Sequence, residues 1–335
     1  MMSKQEQEIK LDKIDRKILY ELDVDSRQTN SQISKKVGTS KEVVNYRINK
    51  LEEKGVIIRY STIIDLFKIG YKKYKIYIKL RGASKEKKEE IGKYFFENKN
   101  TEWVIIGSGR WEVIANYFSR NEQEFDDEVQ EFMNKYHEYI QEKATVTTLQ
   151  ISHATREYLG EKKSPKKEYI EYNIERSAES IDETDKQILH TIANNARMSI
   201  IEIAKLAKTT ARIVQYRLKE MKRKKIILAY KVTINPAKIG KMLCKACFYL
   251  GAADRKRIKE FMKYLHNIEE GIWPQKILGP WDVELDMEVS SYDRFNEVMM
   301  DIKEQFGDII INDEFTIVSK EYKLDFYPGC LREIK

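Results

Sequence analysis

Hydrophobic positions recur with helical spacing at Ile14, Ile18 and Leu22, and again at Ile188 and Ile192. A short second helix follows in each place, with Ile33 and Val37 on one face, and later Ile203, Leu206 and Ala207. A tight turn, "VGTS", leads to a third helix whose N-cap candidates are Ser40 and Thr210. Val44, Ile48 and Leu51, and later Val214, Leu218 and Met221, predict its buried stripe, and Gly55 supplies a stop. "VIIRYSTIID" then turns strand-like, which suggests a hairpin or wing. From Tyr74 the run "YKIYIKL" alternates strictly, as a half-buried strand does. A helix "SKEKKEEIGKYFFEN", strands at "TEWVIIG" and "WEVIANYF", a helix from Glu122 to His137 and a strand near Ala144 to Ser152 complete the pattern. The order β-α-β-β-α-β predicts a ferredoxin-like sheet with both helices on one face. It returns as "CKACFYL", Asp254 to Asn267, "IWPQKIL", "DVELDMEV", Tyr292 to Phe306 and "DEFTIVS".

The return is a duplication. Shifting the sequence by 170 superimposes Asp12 on Asp182, Asp15 on Asp185, Arg27 on Arg197 and Tyr60 on Tyr230, and the register still holds at Trp103/Trp273 and Trp111/Trp281. Roughly twenty of the seventy pairs between 11–80 and 181–250 are identical without a gap. The fold class is therefore α+β, two copies of a winged helix-turn-helix followed by a ferredoxin-like βαββαβ sandwich. The boundaries expected are 11–65 and 181–235 for the helical units, 70–156 and 240–328 for the sheet modules, and 160–180 for a linker. Within that linker "KKSPKK" reads as solvated chain and "KEYIEYNIERSAE" as a possible short helix. Lys208 and Lys225 replace Gly38 and Gly55, which leaves the second copy's turn and stop less assured.

Charge changes the picture of the third helices. The chain carries a formal +7. Residues 11–60 contribute +3 and residues 181–230 contribute +6, so the rest sums to −2. A basic balance concentrated in two helix-turn-helix units points to double-stranded DNA. The outward positions of the third helix are Lys41, Glu42, Asn45 and Asn49, and in the second copy Ala211, Arg212, Gln215 and Lys219. Asn45 and Gln215 have the amide chemistry to read adenine, while Thr39, Ser40, Thr209 and Thr210 sit where phosphates would lie. Arg47 and Arg217 flank the helix, in reach of the DNA backbone or of a structural ion pair.

Other chemistry is thin. Cys244, Cys247 and Cys330 are too few for a disulfide framework, and Cys244 and Cys247 on one strand would face opposite ways. His137, His153, His190 and His266 are scattered singly, no phosphate loop or triad is apparent, and no cofactor or metal is expected. No run approaches a membrane span and "MMSKQEQEIK" lacks a signal-peptide core, so a cytoplasmic protein is expected. One charge row hints at how the sheets meet. If Val283, Leu285 and Met287 face the helices, Asp282, Glu284, Asp286 and Glu288 face outward, opposite in character to Lys75, Tyr77 and Lys79 of the first copy. Unlike pairing of the two sheets is expected.

A winged helix-turn-helix followed by this module, with "GRWE" and "GPWD" between the middle strands, resembles the Lrp/AsnC (feast/famine) regulators. "LDKIDRKILYELDVDSR" is similar to that family's first helix and "TSKEVVNYRINKLEEKGVI" to its recognition helix. The resemblance implies a sequence-specific transcription regulator that is not an enzyme, and a small effector such as an amino acid near Gly109, Trp111, Glu112, Gly279, Trp281 and Asp282. It also implies an intramolecular pseudo-dimer in place of the family's usual paired chains, with further homo-oligomers possible. Two alternatives stand beside it. One is a sirohaem-decarboxylase-like enzyme of the same fold, which would need histidine and arginine residues gathered in the sheet module. The other is a sequence-tolerant architectural DNA-binding protein.

Overall fold

A computed structural model describes residues 8–160, 168–174 and 178–331. The first copy runs α1 (Lys13–Val24), α2 (Asn30–Val37), α3 (Lys41–Glu53), β1 (Ile57–Ile64), β2 (Lys72–Leu80), α4 (Lys85–Glu97), β3 (Thr101–Gly109), β4 (Val113–Ser119), α5 (Glu122–Tyr136) and β5 (Ile140–Ala154). A short strand β6 (Tyr169–Asn173) lies between the copies. The second copy runs α6 (Glu183–Ile192), α7 (Ile200–Leu206), α8 (Ala211–Arg223), β7 (Ile227–Ile234), β8 (Met242–Leu250), α9 (Arg255–Asn267), β9 (Gly271–Leu278), β10 (Val283–Val289), α10 (Tyr292–Phe306) and β11 (Ile310–Leu324).

Local chemistry repeats with the sequence. Asp12 and Asp182 each close a capping box with the aspartate three residues on, so α1 and α6 begin alike. Gly38 and Gly55 hold positive φ, and their replacements Lys208 (φ 50) and Lys225 (φ 57) hold it too. The second copy therefore keeps the same turns despite losing both glycines, each lysine costing about 1 kcal/mol.

Two expectations are corrected. The strand after the third helix forms no hairpin of its own. Instead β1 pairs antiparallel with β7 of the other copy, Tyr60 opposite Val232, Ser61 opposite Lys231 and Thr62 opposite Tyr230. Ser61 and Lys231 are equivalent in the duplication, so the pairing is self-complementary and a pseudo-twofold axis passes between them. The run "KEYIEYNIERSAE" is not a helix where it is described: Tyr169–Asn173 adds to the edge of β5, with His153 opposite Ile170. "KKSPKK" lies outside the described residues.

The two sheet modules close on each other. The strand order is β2-β4-β3-β11-β8-β10-β9-β5, and β2 also pairs with β5, so eight strands form a closed barrel with β6 appended. The joins are β3 with β11 and β5 with β9, again equivalent pairs. Helices α4 and α5 pack outside one half over Ile76, Val104 and Ala115, and α9 and α10 outside the other over Ala246, Leu285 and Met287. Closure leaves those sheets with their outer faces covered by helix and their inner faces toward one another. Cys244 lies in the helix-side core and Cys247 in the barrel interior, on opposite faces of β8.

The interior is ionic as well as apolar. Fully buried Glu284 accepts from Lys75 Nζ (2.5 Å), Lys245 Nζ (3.1 Å), Tyr77 Oη (2.6 Å) and Trp281 Nε1 (2.9 Å). Burial alone would raise its pKa, but the two ammonium groups outweigh burial and hold it well below the ordinary carboxylate range. The acidic row of β10 thus meets the basic-aromatic face of β2 inside one chain. Asp282 is not part of that contact, since it accepts from Leu250 N at 2.8 Å.

A second buried cluster ties the barrel to the helical unit. Arg156, after β5, donates to Asp23 of α1 (2.8 Å) and through Nε and Nη2 to Glu288 of β10 (2.8 and 2.9 Å), while Lys231 of β7 donates to the Asp23 carbonyl (2.9 Å). The equivalents in the other copy are Ala193, Phe326, Phe118 and Ser61, so this ionic tie exists on one side of the axis. Burial pushes the Asp23 carboxyl up, and Lys231 and Arg156 reverse that and hold it at about 2. A depressed carboxylate stabilises the fold above its unfolded pKa and loses that contribution as pH falls toward the folded value, here worth about 2 kcal/mol. Urea unfolding of the wild type and Asp23→Asn should show a stability gap that narrows by about 2 kcal/mol between pH 5 and pH 2. A gap that stays constant over that range would contradict the assignment.

Candidate nucleic-acid interface

The third helices α3 and α8 present the same arrangement twice. Val44, Ile48 and Leu51 are buried, as are Val214, Leu218 and Met221. Ser40 and Thr210 cap the helices, their hydroxyl oxygens accepting from Val43 N (3.2 Å) and Ile213 N (3.3 Å). The Thr210 hydroxyl hydrogen is placed to donate to a phosphate, while the Ser40 hydroxyl also bonds the Glu42 carboxylate. Thr39 and Thr209 are half-buried in the preceding turns. Lys41, Asn45, Arg212 and Gln215 are exposed on the outer faces. Asn45 Oδ1 accepts from Asn30 Nδ2 at 3.0 Å, which orients its amide.

The two arginines are placed differently from a pure backbone contact. Arg47 is ion-paired with Asp12 and, at 3.0 Å, with Asp15. Arg217 pairs with Asp182 at 2.6 Å and Asp185 at 3.3 Å. Each guanidinium thus pins the third helix to the capping aspartates of the first helix, and its partners are carboxylates already supplied by the fold. Of the two roles open to these residues, the structure builds the ion pair.

The residue between amide and arginine was not among the sequence candidates. Tyr46 and Tyr216 are each 61% exposed, beside Val43 and Ile213, which are also exposed. Exposed aromatic rings at one position of both third helices suit contact with base edges and thymine methyls. Their identity in both copies was the available signal.

The β1–β7 ribbon fixes the two units against each other. Arg27 donates to Ala196 O (2.7 Å) and Met198 O (3.3 Å), and Arg197 donates to Ser26 O (2.9 Å) and Gln28 O (3.2 Å). Each guanidinium also lies over a tyrosine, Arg27 over Tyr230 and Arg197 over Tyr60. One hydrophobic core spans Ile18, Val44 and Ile57 together with Ile188, Val214 and Ile227.

The six residues expected around an effector lie in the barrel interior and at its strand ends. Trp111 and Trp281 are buried in the interior with ring centroids 5.9 Å apart. Gly109 has φ +119, and a Cβ there would lie 2.6 Å from Phe315 O. A Cβ on Gly279 would lie 2.6 Å from Val146 Cγ1. Glu112 accepts from Leu80 N (2.9 Å) and Lys88 Nζ (3.2 Å), and Asp282 from Leu250 N. The glycines thus let the sheets approach, and the acids anchor strand ends.

Comparison with known proteins follows the same division. A model described as winged helix-turn-helix DNA-binding matches residues 11–58, and the AsnC-type helix-turn-helix domain matches residues 181–222. An uncharacterized HTH-type transcriptional regulator of Pyrococcus abyssi (strain GE5 / Orsay) is 31% identical over 130 residues, 38% of this chain and 84% of that relative. The chain belongs to the Lrp/AsnC family of HTH-type transcriptional regulators. The leucine-responsive regulatory protein of Rhizobium meliloti (strain 1021) is 43% identical over 63 residues, 19% of this chain and 40% of the relative. A sirohaem decarboxylase, NirDL, in co-complex with an iron-uroporphyrin III analogue, has a TM-score of 0.63 at 12% identity, covering 96% of this chain and 97% of that one. That likeness is one of fold, across both copies. As an Lrp/AsnC member the chain is a transcriptional regulator with two helix-turn-helix DNA-binding domains.

Removing Arg217 separates its two roles. Because the pair is partly exposed, Arg217→Ala should cost about 1 kcal/mol or less in stability and leave the salt slope of DNA binding unchanged. A slope lower by about one would assign a phosphate contact instead. Tyr216→Ala should leave stability unchanged and weaken DNA binding about tenfold, as measured by fluorescence anisotropy.

Proposed function

We propose that one chain reads two unlike DNA half-sites, as a covalently fused form of the paired regulators its family uses. The observation that carries this reading is the β1–β7 ribbon, which sets two recognition helices about a single pseudo-twofold axis. Base reading falls to Asn45 and Tyr46 in one copy and Gln215 and Tyr216 in the other. Phosphates fall to Thr39, Ser40 and Lys41, and to Thr209, Thr210 and Arg212. Because Asn45 stands against Gln215 and Lys41 against Ala211, the operator is asymmetric. The regulator responds to a small effector, and no helix among the described residues is long and apolar enough to cross a membrane.

The decarboxylase reading draws on the full-length fold likeness. It also gains one grouping, because His153, Arg156 and Lys231 line a common cavity between ribbon and barrel. That cavity and its neighbour measure about 30 and 40 Å³. A tetrapyrrole needs several hundred. Larger surface hollows of about 420 and 360 Å³ are lined without any histidine. The regulator reading is therefore preferred and no enzymatic step is proposed.

Genomic fragments retained by the purified protein across a salt series test the function. The expected result is a small set of sites, each with two different half-sites spaced about one helical turn apart. Even, salt-sensitive retention of all fragments would instead establish the sequence-tolerant architectural role.

A further inference from the structure

Arg27 and Arg197 stand in the turns before α2 and α7, and each reaches across to the opposite copy. The two sides differ in one contact. Arg197 is held by the carbonyls of Ser26 (2.9 Å) and Gln28 (3.2 Å), and its guanidinium lies 5.1 Å from the centroid of the Tyr60 ring. Its Nη2 also donates to Asn30 Oδ1 at 2.8 Å. Asn30 Nδ2 in turn donates to Asn45 Oδ1 at 3.0 Å. Asn30 opens α2, where Thr29 closes a capping box with Gln32, so its backbone is fixed as well.

A guanidinium carries donors only. Arg197 therefore dictates which way the Asn30 amide faces, oxygen toward the guanidinium and nitrogen toward Asn45. The Asn45 amide must then turn its oxygen to Asn30, since the opposite orientation would set two NH2 groups against each other. One lone pair of that oxygen and both Nδ2 hydrogens remain for DNA. An acceptor beside a donor matches the N6 amino group and N7 of adenine, and turning the amide over would reverse the match. The chain from Arg197 through Asn30 to Asn45 removes the reversed orientation before DNA arrives.

The pseudo-symmetric side lacks this chain. Ile200 stands where Asn30 stands, packed against the shared helical core, and offers Arg27 no side-chain acceptor. Arg27 donates instead to the carbonyls of Ala196 (2.7 Å) and Met198 (3.3 Å). Gln215, the counterpart of Asn45, is exposed and makes no side-chain hydrogen bond among the described residues. Its amide has one more rotatable bond and turns freely.

We propose that Asn30 is a positioning residue for base reading, and that Arg197 of the second copy sets through it the orientation of the first copy's reader. The first copy then discriminates sharply at one base pair, while the second tolerates substitution at the corresponding pair. Ordering a side chain before binding spares the complex that cost, which is why the relay sharpens recognition. This deepens the function proposed above and rests on Asn45 as a base reader.

Anisotropy titrations of the full chain test it, on duplexes carrying each of the four base pairs at every position of one selected operator, at one salt concentration. The wild type should prefer adenine at one pair of the first half-site by about ten- to hundredfold. Asn30→Ile gives the first copy the residue that the second already carries at this helix position. It should lower that preference about fivefold and leave the profile of the second half-site unchanged. Asn45→Ala should abolish the preference at the same pair. Asn30→Asp keeps the acceptor for Arg197, suits a helix N-terminus and withdraws the donor from Asn45. It should lower the same preference, and it decides the matter if Asn30→Ile fails to fold. A preference lost in Asn45→Ala but untouched in the Asn30 variants would overturn the positioning role and leave the base reader standing. A profile that none of the variants changes would remove Asn45 as a reader and the relay with it. An Asn30→Ile loss that is equal on every duplex would mark a structural role and overturn the proposal.

Discussion

The pairing of β1 with β7, centred where Ser61 faces Lys231, constrains the rest of the molecule. Backbone hydrogen bonds across that ribbon tolerate no slip, because a one-residue shift would turn every side chain to the other face. The third helices precede these strands by three residues, so the ribbon sets the position of both at once. The barrel below repeats the same axis in its two joins, β3 to β11 and β9 to β5. Arg27 and Arg197, each reaching across to carbonyls of the opposite copy, lock the arrangement from the sides.

Fusion allows an interior that a symmetric dimer could not build. Glu284 lies between Lys75 and Lys245, and its equivalent in the first copy is Ile114. Two first copies facing each other would bury Lys75 twice with no Glu284 opposite. Two second copies would bury Glu284, Asp286 and Glu288 twice over against two lysines. Only the unlike pair balances, and a buried charge left without its partner costs about 3–5 kcal/mol. The same freedom produced the one-sided Asp23–Arg156–Glu288 tie, whose counterpart across the axis is Ala193, Phe326 and Phe118. Charge placement therefore selects the intramolecular partner, and the resulting asymmetry extends to the helices that meet DNA.

Much of this was legible in the sequence. The two-residue period of β2 and β10, the helical stripes of α3 and α8 and the constant offset of 170 gave every long element and its face. The acidic row on β10 even indicated which sheet would cover it. What periodicity could not reveal was partnership at a distance. The pattern of "VIIRYSTIID" says strand, but its partner begins at Ile227, in the other copy. Arg47 and Arg217 read first as contacts to the DNA backbone and only second as ion pairs, because Asp12 and Asp185 lie more than thirty residues away. Tyr46 and Tyr216 carry only the signal of their repetition, because periodicity does not show that an aromatic side chain on a helix is exposed. The loop glycines matched a motif, and the motif did not show that Gly109 and Gly279 each stand where a Cβ would meet the other copy's strand at 2.6 Å.

The central claim is that a single chain supplies both recognition helices to one DNA site. The most direct measurement is the mass of the complex, by sedimentation on a duplex bearing one selected operator, over protein concentrations spanning the binding transition. The account predicts one chain per duplex, formed in a single step first-order in protein. Two chains per duplex, assembling with second-order dependence and one helix-turn-helix unit of each protected from footprinting reagents, would contradict it.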